Sequence, residues 1–136
     1  MMHEILHPAG WAPAIGYANG VLAEGRTIHL GGQIGWNAAQ EFESDDLADQ
    51  VRQTLDNIVA VLAEAGAGPQ HLVSLTWFMT DLDEYSARLK DIGRAYREVI
   101  GRHYPAMAAL EVRRLVERRA KVEIQALAVL PDVEKG

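Results

Sequence analysis

The segment Lys121-Val122-Glu123-Ile124-Gln125-Ala126-Leu127-Ala128-Val129-Leu130 constrains the fold more than any other. Side chains alternate across a strand, so Val122, Ile124, Ala126, Ala128 and Leu130 share one wholly apolar face. The opposite face carries Lys121, Glu123, Gln125, Leu127 and Val129, and its second half is apolar too. Such a strand must be covered on both sides. The first face takes the helices. No third helix is available for the second, and the economical cover is another copy of the chain. The expected assembly is a symmetric homo-oligomer whose subunit seam buries the helix-free face, a place where pockets often form.

The helices are legible from their periodicity. Leu47, Val51, Leu55, Ile58, Leu62 and Ala65 recur at steps of three and four, Ser44 with Asp45 and Asp46 supplies a cap and acids, and Gly66 is a stop. Leu72 to Thr80 alternates as a strand. A second helix follows with Tyr85, Leu89, Ile92, Tyr96 and Val99 as its apolar stripe, Asp81 and Glu84 as a capping box and Gly101 as its end. Earlier, Val21-Leu22-Ala23 and Thr27-Ile28-His29-Leu30 joined through Glu24-Gly25-Arg26 predict a tight hairpin. Gly31-Gly32 then marks a bend or a close backbone approach. No repeat or linker interrupts residues 1–136, which are expected to form a single domain.

Composition narrows the partners. The chain has no cysteine, which removes disulfides and thiol chemistry and suits a reducing cytoplasm; no apolar leader or membrane-length segment is visible, so no membrane partner is expected. A net charge of −6 and a pI near 5.3 repel a phosphate backbone. The one basic cluster, Arg113-Arg114 with Arg118-Arg119, is interrupted by Glu117 and reads as a solvated loop, so no nucleic-acid partner is expected. His3 and His7 have a helical metal spacing but precede Pro8 and lack a third ligand; neither a metal nor a cofactor is expected. The hydroxyls of Ser74, Thr76 and Ser86 have no His-Asp partner suggested by spacing, which argues against a nucleophilic triad.

Six motifs in order carry a family resemblance. Ile15-Gly16-Tyr17, Gly31-Gly32-Gln33-Ile34, Gln53-Thr54-Leu55-Asp56-Asn57-Ile58, Val73 through Asp81, Tyr104-Pro105-Ala106 and Val122 through Val129 together resemble the Rid family, also called YjgF-like, over nearly the whole chain. The resemblance implies a chorismate-mutase-like α+β fold, with a mostly antiparallel mixed sheet and two helices on one face. It also implies a homotrimer with small-molecule clefts between subunits. The family's best-known members hydrolyse reactive enamines and imines to keto acids and ammonia. In them an arginine just after Pro-Ala grips the substrate carboxylate, a glutamate on the last strand orients or activates water, and an early tyrosine and a glycine backbone complete the site.

This sequence departs from that pattern at both charged positions. Met107 stands where the arginine would be, Ala109 where many members have cysteine and Gln125 where they have glutamate; Tyr17 and Gly31-Gly32 are retained. Losing the guanidinium should weaken capture of a small 2-imino acid by roughly ten- to a hundredfold. Gln125 keeps glutamate's shape and hydrogen bonds but not its proton chemistry. One positive and one negative charge vanish together, which points to altered ligand choice. Residues 105–112 and 121–130 read as a strand pair that carries the small-molecule site. Alternation puts Met107, Ala109 and Glu111 on one face, making Glu111 a candidate proton-transfer group against its plainer reading as a salt bridge. Arg88, Arg94, Arg97, Arg102 and His103 are candidate replacement cations, with His103 equally readable as a turn residue. Trp36 is a candidate wall for a larger or flatter ligand.

Three functions fit such a chain. The first is a deaminase of enamines or imines other than simple 2-imino acids, for instance an aminomuconate-type intermediate, with Tyr17, the Gly31-Gly32 backbone, Gln125 and Glu111 placing water and substrate. The second is a non-catalytic small-molecule-binding or regulatory protein using the same cleft. The third, RNA cleavage or translation inhibition, is opposed by the acidic pI and the lack of a paired-histidine site.

Overall fold

A computed structural model describes residues 3–132, and its longest helix is the segment of strongest periodicity, α1 (Leu47–Glu64). Val51, Leu55, Ile58 and Leu62 are fully buried along its inner face. Each such side chain stabilises the fold by about 1.5–3 kcal/mol on leaving water. Asp46, rather than Ser44, is the N-cap: its carboxylate accepts from the Asp49 amide at 3.0 Å, while Ser44 Oγ donates to Asp49 at 2.8 Å. Gly66 leaves the helix at φ +72°, the left-handed conformation that favours glycine.

The other elements are β1 (Glu4–Leu6), β2 (Gly20–Leu22), β3 (Arg26–His29), β4 (Gln33–Ile34), β5 (Leu72–Met79), α2 (Leu82–Ala87), α3 (Leu89–Val99), β6 (Ala106–Glu111) and β7 (Val122–Leu130). The main sheet has the order β3-β7-β5-β6, with β4 also pairing to β7. Only β5 and β6 are parallel. Helices α1 and α3 pack on each other and α1 covers β7, so the core lies between these helices and one sheet face. This is the α+β fold with a mostly antiparallel mixed sheet that the resemblance implies. Val122, Ile124, Ala126 and Ala128 are buried beneath the helices, as their shared face requires.

Three local expectations change. Residues 21–30 do not form a hairpin: β2 pairs with β1 and β3 with β7. Gly25, at φ +143°, lies so near the end of β7 that a Cβ would sit 2.4 Å from the Leu130 carbonyl oxygen. It permits a close approach rather than a two-residue turn. Second, β6 and β7 are not a strand pair, because β5 lies between them. The α2–α3 crossover returns the chain parallel to β5, on the edge away from β7. Third, the second helix is broken at Arg88 (φ −112°, ψ 16°), which closes α2 and opens α3. Its guanidinium pairs with the Asp46 carboxylate and, at 3.1 Å, with Asp91, tying the break to the α1 cap. The Asp46 carboxyl is held below its ordinary pKa, first by this Arg88 hydrogen bond.

Candidate functional site

Strand register decides which candidate residues can meet. Met107 is opposite Leu75 and Ala109 opposite Trp77, while Leu75 and Trp77 are opposite Ala126 and Ile124. Met107 and Ala109 therefore share the helix-facing side of the sheet, as does Glu111 opposite Met79. Gln125 is opposite Thr76 and lies on the helix-free side. Met107 and Gln125, expected in one cleft, thus occupy opposite faces with a strand between them. At ordinary strand spacing that is about 10 Å of sheet.

On the helix-facing side a cavity of about 640 Å³ opens between the helices and the β6 edge. Tyr85, Leu89, Ile92, Gly93, Tyr96 and Arg97 line it from α2 and α3; Trp77, Met107 and Ala109 line it from the strands, with Tyr104 beside them. Ile15-Gly16-Tyr17 closes the third side. That loop is fixed by the Ala18 amide, which donates to the Pro105 carbonyl at 3.0 Å, and by a parallel bridge from Ala18 to Ala106. The cavity thus brings together Tyr17, Met107 and Ala109, three residues that sequence reading assigned to the site.

The aromatic wall is tied together by a ring stack and a hydrogen bond. Tyr96 and Tyr104 stack with ring centroids 5.3 Å apart, and the Tyr96 hydroxyl donates to the His103 carbonyl at 2.5 Å. Burial pushes the Tyr96 phenol pKa well up, and that of Tyr85 up as well, so both stay protonated at neutral pH. Trp77 is 5% exposed, and its indole N–H has no acceptor among the described residues. Arg97 is the only cationic side chain in the lining. Among the described residues no carboxylate pairs with it, whereas Arg88 pairs with Asp46 and Asp91, and Arg94 with Asp91 at 3.6 Å.

Two expected members of this half lie elsewhere. His103 is buried and turned from the cavity: its Nε2 donates to the Leu72 carbonyl at 2.8 Å, fixing the turn that carries Tyr104. The Glu111 carboxylate accepts from the Leu82 amide at 3.1 Å, so it satisfies the start of α2 and is absent from the cavity wall.

The helix-free side holds the other half. Gly31 and Gly32 join β3 to β4 alongside Gln125 and Ala126, and the Leu30 amide donates to the Ala126 carbonyl at 3.1 Å. Gly32 lies close under Glu123: a Cβ there would stand 2.4 Å from the carboxylate, which would have to turn aside. Asn57 Nδ2 donates to the carbonyls of Ile34 and Trp36 at 3.0 and 2.8 Å, pinning this segment to α1. Gln125 is exposed beside it. The Trp36 ring turns to Phe42, 6.0 Å away, and lines a separate hollow with Arg118 and Arg119, so it does not join Tyr17 or Gln125. Arg119 pairs with Asp45 at 2.9 Å. His3 and His7 diverge: His3 donates to the His71 carbonyl at 3.3 Å and His7 to the Trp11 carbonyl at 3.1 Å.

Sequence reading placed Tyr85, Leu89 and Tyr96 in an apolar stripe but did not see that the stripe leaves a cavity. A signal was present in Gly93, a glycine inside a helix, which usually has a packing or functional reason.

Comparison with known proteins gives consistent findings. A family model described as endoribonuclease L-PSP matches residues 9–130. The chain is 32% identical over 129 residues to a RutC family protein of Haemophilus influenzae, covering 95% of this chain and 98% of that one. It is 30% identical over 131 residues to the 2-iminobutanoate/2-iminopropanoate deaminase of Bos taurus, covering 95% and 91% respectively. A solved structure of a conserved Rid protein family member of unknown function, YyfB from Yersinia pestis, superposes with a TM-score of 0.84 at 30% identity, covering 96% of this chain and all of that one.

Proposed function

Because the chain belongs to the endoribonuclease L-PSP family, the Rid or YjgF-like family of its motifs, we propose that it is a hydrolytic deaminase of enamines or imines with a changed substrate choice. The reaction adds water across C=N to give a carbinolamine, whose oxygen passes a proton to nitrogen before ammonia leaves and a carbonyl remains. Such chemistry depends chiefly on holding an electrophilic carbon and a water in register. Tyr17 would hydrogen-bond substrate or water at one side. The amide of Gln125 would orient water without taking its proton, and the backbone of Gly31-Gly32 would let a ligand approach closely.

The observation that carries this reading is the gathering of Tyr17, Met107 and Ala109 in one cavity, in a chain whose relatives include an imine deaminase. Since Gln125 lies on the opposite face, the proposed active unit is a homotrimer in which a neighbour's helix-free face completes the cleft. Nuclease activity is not favoured: the net charge is −6, and Arg119 of the basic loop is already paired.

Met107 and Gln125 favour a second reading, a ligand-binding member that keeps the cleft and has lost hydrolysis. Ammonia release from a panel of enamines and imines, with Tyr17→Phe and Gln125→Ala as controls, separates the two. The deaminase reading expects release above the uncatalysed rate that falls in both variants. No release from any panel member, with retained ligand binding, would establish the second reading instead.

A further inference from the structure

Glycine destabilises a helix interior relative to alanine, yet Gly93 sits in the middle of α3. A Cβ there would stand 3.2 Å from Arg97 Nη1. The missing methyl lets the guanidinium lie back along α3 at the cavity wall, where it is the one cation and has no carboxylate partner among the described residues. An unpaired guanidinium beside an apolar hollow is a ready site for a carboxylate, whose two oxygens match its planar fork.

The rest of the wall selects the body of that ligand. Trp77, Tyr85 and Tyr104 present aromatic surface and Met107 a polarisable thioether, groups suited to a flat ring. The volume, about 640 Å³, lies in the range that holds drug-sized ligands and far exceeds a three-carbon imino acid. Met107, at the position where the resemblance expects an arginine, leaves the floor apolar, and the cation of the lining stands on α3 instead.

We propose that Arg97 is the anion anchor of this cavity and that its ligand is an aromatic carboxylate, ring against Trp77, Tyr104 and Met107 and carboxylate on the guanidinium. Under the deaminase reading the substrate is then an imino or enamino acid bearing an aromatic group. Its turnover rests on that reading; its binding does not.

Calorimetric titration of the full chain with naphthalene-1-acetate and with the neutral naphthalene-1-acetamide tests the anchor. The acid should bind at least tenfold more tightly than the amide. Arg97→Ala should bring the acid down to the amide's affinity and leave the amide unchanged, and Arg97→Lys should restore part of the difference. Arg97 is exposed, so the variant should keep its melting temperature. Gly93→Ala should weaken acid binding while raising that temperature, which a merely destabilised fold could not do. Equal affinity for acid and amide, indifference to Arg97→Ala, or no binding of either compound would overturn the anchor. Ammonia release from 2-imino-3-phenylpropanoate, generated in place by an amino-acid oxidase, tests turnover separately. Arg97-dependent binding without ammonia from any imine leaves the anchor standing and removes the deaminase reading. Ammonia release indifferent to Arg97→Ala does the reverse.

Discussion

On the helix-facing side of the main sheet, Leu75, Trp77, Ile124 and Ala126 are buried by the chain's own helices, and a walled cavity remains beside them. On the other side Ser74, Thr76, Phe78, Glu123 and Leu127 are only half-buried and Gln125 is exposed. The first face has its core and its aromatic wall from one polypeptide. The second offers a glycine backbone and an exposed amide with no helix over them among the described residues. Residues that the family resemblance puts in one cleft are thus divided between two faces of the sheet, which the proposed homotrimer would bring together.

Paired truncations test that contrast most severely. Leu75→Ala on the helix-facing side should cost about 2–5 kcal/mol in urea denaturation, independent of protein concentration. Phe78→Ala on the other face should cost less in a dilute, dissociated chain and should make apparent stability depend more strongly on concentration, as linkage to association requires. A monomeric mass in solution, with equal costs for both variants at every concentration, would remove the shared-cleft model.

Met107→Arg restores a cation to the cavity floor and should raise kcat/KM for 2-iminobutanoate by about tenfold or more, the worth of a charge-assisted hydrogen bond. Failure of both this variant and its combination with Gln125→Glu would show that the cavity is not the carboxylate half. Asp46→Ala removes the α1 cap and its bond to Arg88, with an expected cost of about 1 kcal/mol. Because the folded Asp46 carboxyl is depressed below its ordinary pKa of 3.8, its contribution is complete above that pH and is lost as acid protonates the folded group. Melting curves of Asp46→Asn should accordingly depend less on pH below about 4 than those of the parent.

Gly93→Ala should stabilise the fold by about 0.5–1 kcal/mol, since only the movable end of Arg97 stands in the way. The smallest effect concerns His71, whose pKa is lowered, first by burial. The unfolded chain therefore binds its proton at higher pH than the folded one, and stability should fall as pH drops below the ordinary value of 6.5. His71→Asn, which keeps an acceptor for the Gly68 amide, should flatten the melting temperature over that window.

Much of the fold was legible because it follows from periodicity. Leu47 through Leu62 could be only an amphipathic helix, and the alternation of β5 and β7 fixed both their conformation and the face that meets the helices. Near misses came where a distant contact overrode local pattern. Glu24-Gly25-Arg26 has turn composition, yet Gly25 serves a close approach to Leu130. The stripe from Tyr85 to Val99 continues through Arg88, yet the pairing of that residue with Asp46 accompanies a break in the helix. Of the candidate site residues, Tyr17, Met107 and Ala109 line one cavity. His103, Glu111 and Trp36 were assigned to the site but are engaged elsewhere, because their hydrogen-bond and packing partners lie far away in sequence.

The sequence by itself determined α1, β5 and β7, the apolar face of β7, and the neutral residues Met107 and Gln125 at positions where the resemblance expects charges. Only the tertiary structure decided that β5 separates β6 from β7, that Met107 and Gln125 face opposite ways, and that Arg97 is the cation at the cavity. The physical reason is range: side-chain periodicity is set by the local backbone, whereas strand order and the meeting of side chains depend on which distant segments exclude water together.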